Sequence, residues 1–236
     1  GLLGMKVRGD WWGILERLGV TLIVTREYEH LMVALGAGRR GPRVTYMRMP
    51  HPSGIAVDRD QEVLWVACTR LPNQVFEFRP AAGSMPRIDR PGYAPEGRPL
   101  IPVGTRFHPG CLYLHDLALV VGRLCGTAAG MNAVVSLDRG PAEPLWWPRA
   151  IERRGRPDFR ANYLQLNSIA AGRSLASSFF TASSERVLER RPGDPAFPVD
   201  RLGVVFSGAT REPIARGLTR PHSARLFQGR VWVDDS

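Results

Sequence analysis

Lysine is all but missing: Lys6 is the only one, although the formal net charge is +10. The positive charge is almost wholly arginine, scattered in short doublets such as Arg39-Arg40, Arg153-Arg154 and Arg190-Arg191. No basic helix, zinc knuckle or RNA-recognition signature accompanies it, so specific nucleic-acid binding is not expected. A general basic field can still attract polyanions without specificity. Cysteine is nearly as scarce. Cys68, Cys111 and Cys125 form no CxxC pair and leave an odd thiol under any pairing. Cys68 and Cys125 fall inside apolar strand patterns, where a free cysteine acts as a small buried hydrophobe, which fits a reducing compartment. Long apolar runs are lacking too. Val20 to Val24 is far too short to span a membrane and no signal peptide is visible, so no membrane partner and a cytoplasmic location are expected. HExxH, GxSxG, P-loop and GxGxxG patterns are all missing, which removes the standard enzyme classes they mark.

What the chain does have is glycine (25) and proline (20), scattered as short strands joined by tight turns require. It also has a repeat. Four segments begin with Pro or Leu, continue with a small or polar residue, and run into a strand: Pro52-Ser53-Gly54-Ile55-Ala56, Leu114-His115-Asp116-Leu117-Ala118, Leu166-Asn167-Ser168-Ile169-Ala170 and Pro221-His222-Ser223-Ala224-Arg225. They recur roughly every 50–60 residues, the period of blade-like repeat architectures. Each opens a hairpin with a turn of two to four residues, and the second strands start near Val63, Leu124, Ala176 and Arg230. Third strands read at Gln74 to Phe78, Ala133 to Leu137 and Gly203 to Phe206, and outer strands near Leu145-Trp146-Trp147 and Ile214-Ala215-Arg216.

Four short antiparallel strands per repeat predict an all-β fold of the β-propeller class rather than a sandwich, which would not repeat the same lead-in. The expectation is a single propeller domain over 1–236 with a helical lead-in at 11–18 and blades beginning near 21, 54, 116, 168 and 223. Pro80 to Thr105 and Glu185 to Pro198 read as protruding loops. Because Arg230-Val231-Trp232-Val233 is a strand pattern with no partner after it, the chain reads as a C-terminally truncated fragment of about four to five blades. A complete ring of about six to seven is expected. Trp65 and Trp232, at matching places in their hairpins, are expected to be buried.

The first hairpin, with Gly54-Ile55-Ala56-Val57-Asp58 and Leu64-Trp65-Val66-Ala67, is similar to the repeats of NHL and gluconolactonase-type propellers. From Leu18 to the end, the pattern more closely resembles an uncharacterised family of conserved hypothetical propeller-like proteins. Its most specific block is Ala215-Arg216-Gly217-Leu218 leading into Pro221-His222-Ser223 and Gly229-Arg230-Val231-Trp232-Val233. Members often carry Glu where this chain has Asp116, and they continue beyond its last residue. The resemblance implies the fold but no activity.

In a propeller the first strand of each blade lines the central channel. The repeat would then set Ser53, His115, Asn167 and His222 around one mouth with Asp116 beside them, and His51 nearby, a candidate ligand-binding site. His115, Asn167 and His222 are the candidate ligands for a divalent metal, the possible cofactor. One histidine could instead act as a general base. The competing reading is structural: a polar residue recurring at a strand start hydrogen-bonds the backbone of the next blade. The leading expectation is a scaffold that binds a small molecule or a protein. The alternative is a metal-dependent hydrolase or lyase of gluconolactonase type. His30 and His108 are expected off the ring, His108 exposed, and Trp146-Trp147 packed between blades.

Overall fold

The computed structural model describes residues 4–38, 41–70, 73–83, 88–89, 97–138, 140–160 and 162–235. One α-helix, α1 (Trp11–Leu18), opens it and buries Leu15. Gly19 ends the helix in the left-handed region (φ 61°), where its N–H returns to the carbonyls of Leu15 and Glu16.

Among the described residues, everything after it is strand, turn or loop apart from one 3-10 turn at Arg149–Ile151. Sheet I is β1 (Leu22–Arg26), β2 (Leu31–Gly38) and β3 (Gly41–Arg48). Sheet II is β4 (Pro52–Asp58), β5 (Val63–Cys68), β6 (Asn73–Pro80) and β7 (Leu100–His108). Sheet III is β8 (Leu114–Val120), β9 (Arg123–Ala128), β10 (Ala133–Ser136) and β11 (Glu143–Trp146), and a small hairpin of β12 (Glu152–Arg153) and β13 (Arg156–Pro157) follows. Sheet IV is β14 (Leu166–Ala170), β15 (Phe179–Ala182), β16 (Gly203–Ser207) and β17 (Pro213–Leu218), and sheet V is the hairpin β18 (His222–Phe227) and β19 (Arg230–Asp234). All pairings are antiparallel and consecutive, and the first strands β4, β8, β14 and β18 pack one against the next. The result is an all-β, propeller-like succession of meander sheets.

The core lies in layers between these sheets. Met32 and Met49 meet Leu64, Val66 and Phe78 between sheets I and II. Ala56, Ala67 and Val75 meet Leu114, Leu117, Val135 and Leu137 between II and III. Val120, Cys125, Val134 and Trp146 meet Leu166, Ile169, Phe180 and Phe206 between III and IV. Middle strands are therefore buried on both faces and read as continuous apolar runs, such as Val63–Cys68. The outermost strands β3 and β7 are almost wholly exposed and carry mixed sequence. Each fully buried Leu, Ile or Phe contributes about 1.5–3 kcal/mol.

Three expectations need correction. The segment read as a loop from Pro80 to Thr105 ends in β7, whose exposed face gave it no apolar alternation. Part of that segment, residues 84–87 and 90–96, lies outside the described residues. The third hairpin has no tight turn: residues 171–178 separate β14 from β15, and the second strand begins at Phe179, not Ala176. Trp232 is 58% exposed, because nothing among the described residues covers that face of β19. Trp65, its counterpart, is half-buried.

Candidate functional site

The lead-in repeat builds the same local geometry four times. The residue before each lead-in segment has a left-handed backbone: His51 (φ 42°), Tyr113 (φ 50°), Gln165 (φ 51°) and Arg220 (φ 47°). None is glycine, so each position holds about 1 kcal/mol of strain. At three of them the carbonyl accepts the N–H of the residue after the second strand: Thr69 to His51 (3.0 Å), Ala129 to Tyr113 (3.2 Å) and Ser183 to Gln165 (3.2 Å). Each first strand then bulges over its lead-in residues, shifting register between Pro52 and Ile55, Leu114 and Leu117, Leu166 and Ser168, and His222 and Arg225. A bulge re-aims side chains, here off the ladder and toward the neighbouring sheet or the channel.

Most of the re-aimed groups tie sheets together. Ser53 Oγ donates to the Leu114 carbonyl at 2.7 Å, from sheet II to sheet III. Asn167 Nδ2 donates to the Pro221 carbonyl at 3.0 Å, from IV to V, while its Oδ1 is buried without a partner. Asp116 is 4% exposed and fully engaged. Its carboxylate accepts the N–H of Leu117 (2.9 Å) and of Ile169 (3.0 Å), and a bidentate pair from the Arg225 guanidinium (2.7 and 3.0 Å). That pair reaches from sheet III past sheet IV to sheet V. Burial pushes the Asp116 carboxyl above its usual range, and Arg225 and the two N–H groups oppose the rise. Ser53, Asn167 and Asp116 thus serve the structural role set out above.

The two histidines are different. His115 is half-buried and donates to no neighbouring sheet. Burial, with help from the charge of His222, holds its imidazole down to about 4, so it is neutral at pH 7. His222 sets its Nδ1 against the Arg220 carbonyl, so Nδ1 is the donor in that contact. Their electrostatic coupling places the imidazoles of sheets III and V within electrostatic range of each other.

Glu27, in the turn after β1, belongs to that region and carried no sequence signal, because sheet I lacks the lead-in segment. Burial raises its carboxyl, against the opposing effects of Arg70, the nearby Thr69 hydroxyl and the imidazoles of His222 and His30. His30 and His51 meet edge to face, 4.1 Å between ring centroids, and the His51 N–H approaches His30 Nδ1 at 3.3 Å. His30, expected off the ring, packs against His51, the residue before β4. His108, expected exposed, is 5% exposed and has no partner for either ring nitrogen. Trp146 packs as expected, 4.0 Å from Phe180 between ring centroids, with its Nε1 donating to the Gly208 carbonyl at 2.9 Å.

Among the described residues no three His, Cys, Asp or Glu side chains gather closely enough to hold a metal ion.

A family model matches residues 9–236. The chain belongs to DUF4915, a domain of unknown function. No curated protein matches this DUF4915 chain. Among solved structures it is similar to the β-propeller domain of Cps50 (Swd1) from Myceliophteria thermophila, at 10% identity and a TM-score of 0.46. That match covers 91% of the DUF4915 chain and 62% of the other, so the chain spans less than two thirds of its neighbour's length.

Proposed function

We propose that this DUF4915 chain is a binding propeller whose channel mouth takes a small polar ligand between His115, His222 and Glu27. The observation that carries the reading is that His222 of sheet V lies within electrostatic reach of both His115 of sheet III and Glu27 beside sheet I, with Arg70 reaching Glu27 as well. Neutral His115, the His222 imidazole and a carboxyl biased toward its protonated form offer donors and acceptors to a polar ligand. Ser53, Asp116 and Asn167 hold the first strands that present them. The reading includes a complete ring of six to seven blades with repeats of NHL or gluconolactonase type, and a cytoplasmic protein. No helix among the described residues is long and apolar enough to cross a membrane.

The test needs no ligand at first. Titration of the histidine Cε1–H signals by NMR should put His115 near 4, and His222→Ala should raise it while leaving it below its ordinary value, because burial dominates. An unchanged His115 titration would break the shared mouth. A thermal-shift screen of sugars, sugar acids and small dicarboxylates then follows, and any stabilising compound should lose its effect in His222→Ala and Glu27→Gln. A stoichiometric divalent ion in purified protein would instead favour the metal-dependent hydrolase or lyase with a histidine base.

A further inference from the structure

Equivalent places in the repeat differ in how their polar groups are met. In sheets II, III and IV the residue after the second strand stands beside the residue before the lead-in, because its N–H donates to that residue's carbonyl. In sheet IV the side chains at these places also satisfy one another. Ser183 Oγ donates to Gln165 Oε1 at 2.9 Å and accepts from Asn167 Nδ2 at 3.3 Å. In sheet III the corresponding Ala129 has no polar side-chain atom to satisfy. Sheet II puts Thr69 and His51 there, and neither side chain meets the other. Thr69 is 3% exposed, yet its Oγ1 has no hydrogen-bond partner among the described residues, and the buried His51 Nδ1 has none either. Ser53 does not do for Thr69 what Asn167 does for Ser183, since its hydroxyl is turned to the Leu114 and Ala67 carbonyls. A buried donor left unmet carries its full desolvation penalty, so two at one place point to a group that arrives from outside.

Arg70 supplies the charge. It follows Thr69 directly, is exposed, and makes no ion pair or hydrogen bond among the described residues. Its charge reaches both His51 and Glu27. Contacts within the fold bring the rest of the cluster together. The His30 N–H donates to the Glu27 carbonyl at 3.2 Å, and the His30 ring packs 4.1 Å from that of His51.

We propose that Arg70, Thr69 and His51 form a carboxylate-binding subsite at the edge of the mouth, which makes the ligand an organic acid. The naming of the ligand rests on the mouth proposed above, reached through Glu27, whereas the subsite itself stands on the unmet groups of sheet II. The guanidinium fork matches the two oxygens of a carboxylate. Thr69 Oγ1 and the Nδ1–H tautomer of His51 donate to the lone pairs that remain. A single guanidinium within reach of the Glu27 carboxyl suits a singly charged anion and disfavours a doubly charged phosphate.

Acetate is the probe, with acetamide as its uncharged twin and inorganic phosphate as the competing anion. In the full chain at fixed ionic strength, acetate should shift the Thr69 and Arg70 amide signals saturably at about millimolar concentration. Acetamide should leave them unmoved. Arg70→Gln should weaken acetate binding about tenfold, and Thr69→Val about threefold. Thr69→Val should not lower the thermal unfolding midpoint, because no protein group loses a bond. A lower midpoint would mean that the hydroxyl serves Glu27 within the fold, and would overturn the proposal. So would equal shifts with acetamide, tighter binding of phosphate, or acetate binding unchanged in Arg70→Gln. Acetate binding that is lost in Arg70→Gln, beside a His115 titration that ignores His222→Ala, keeps the subsite and removes the mouth. A His115 titration that responds, with no acetate binding, removes the subsite and keeps the mouth.

Discussion

Sheets III, IV and V open on the same repeated lead-in and sheet I follows the same antiparallel meander, yet the middle and outer members stand in opposite physical conditions. Sheets III and IV have four strands each and a neighbour on both sides, and their middle strands are buried almost without exception. Sheet V has two strands, and Leu226, Phe227 and Trp232 on them are exposed. Sheet I has an exposed outer strand, and no strand pairs with the inner edge of β1 among the described residues. The same residue type therefore carries different weight by position. Trp65 and Trp232 occupy matching sites, one half-buried against the layer between sheets II and III, the other open to solvent. Sequence periodicity says which face is apolar, and only the neighbouring sheet decides whether that face is covered.

The largest expected effect breaks the tie that spans the interior sheets. Asp116→Ala removes a buried carboxylate that serves Leu117, Ile169 and Arg225, and should cost about 3–5 kcal/mol by leaving buried donors unpaired. Arg225→Ala should cost much less, because the Arg225 side chain is half exposed and Asp116 keeps its two N–H partners. Denaturant unfolding of both variants reads the difference. Equal losses would mean that the ion pair acts as an isolated contact and does not link sheets III to V.

The two tryptophans come next. Trp65→Ala should cost about 3 kcal/mol through the cavity it opens. Trp232→Ala should stay within about 0.5 kcal/mol, as for an exposed residue. A large loss at Trp232 would show that the face of β19 is covered in solution, and so would narrow the contrast between interior and end sheets.

Gly54→Ala probes how tightly two interior sheets approach. A Cβ there would sit 2.4 Å from the Asp116 Cα and 2.5 Å from the Leu117 nitrogen, all backbone, which cannot move aside as a side chain can. The expected cost is about 1–3 kcal/mol. An unchanged midpoint would mean that sheets II and III can separate by a few tenths of an ångström without penalty.

Much of the fold was legible because burial on both faces leaves a plain mark. The lead-in segments and the strands Val63–Cys68 and Gly203–Ser207 fall where the repeat put them. β7 was not legible, since an outermost exposed strand has no apolar face to write into its sequence. For the site, recurrence pointed to Ser53, His115, Asp116, Asn167 and His222, but recurrence alone could not separate the residues that tie sheets from those that face the mouth. That division depends on which acceptor lies across the interface, and Leu114 and Pro221 offer carbonyls that no spacing reveals. Glu27 escaped for a different reason: it precedes the first lead-in and has no counterpart to recur with.

The smallest effect is the pH dependence of His115, and it bears on the contrast within the site itself. Its folded-state value is about 4 against 6.5 for an ordinary histidine, lowered first by burial and then by His222. Between those two values the unfolded chain binds the proton and the folded chain does not. Stability should therefore rise with pH from about 4 to 6.5 and level off above. One unit corresponds to about 1.4 kcal/mol, and solvent screening of a half-buried ring at a channel mouth reduces the whole contribution to about 1–2 kcal/mol. His115→Gln deletes the titrating group, so the difference in unfolding free energy between wild type and variant should grow through this window and vanish in slope above pH 7. Taking the difference cancels the parallel contributions of His51 and His108, which burial also lowers. A difference that is flat from pH 4 to 7 would mean that His115 is solvated like a surface residue, and would take it out of the desolvated mouth it is proposed to share with His222 and Glu27.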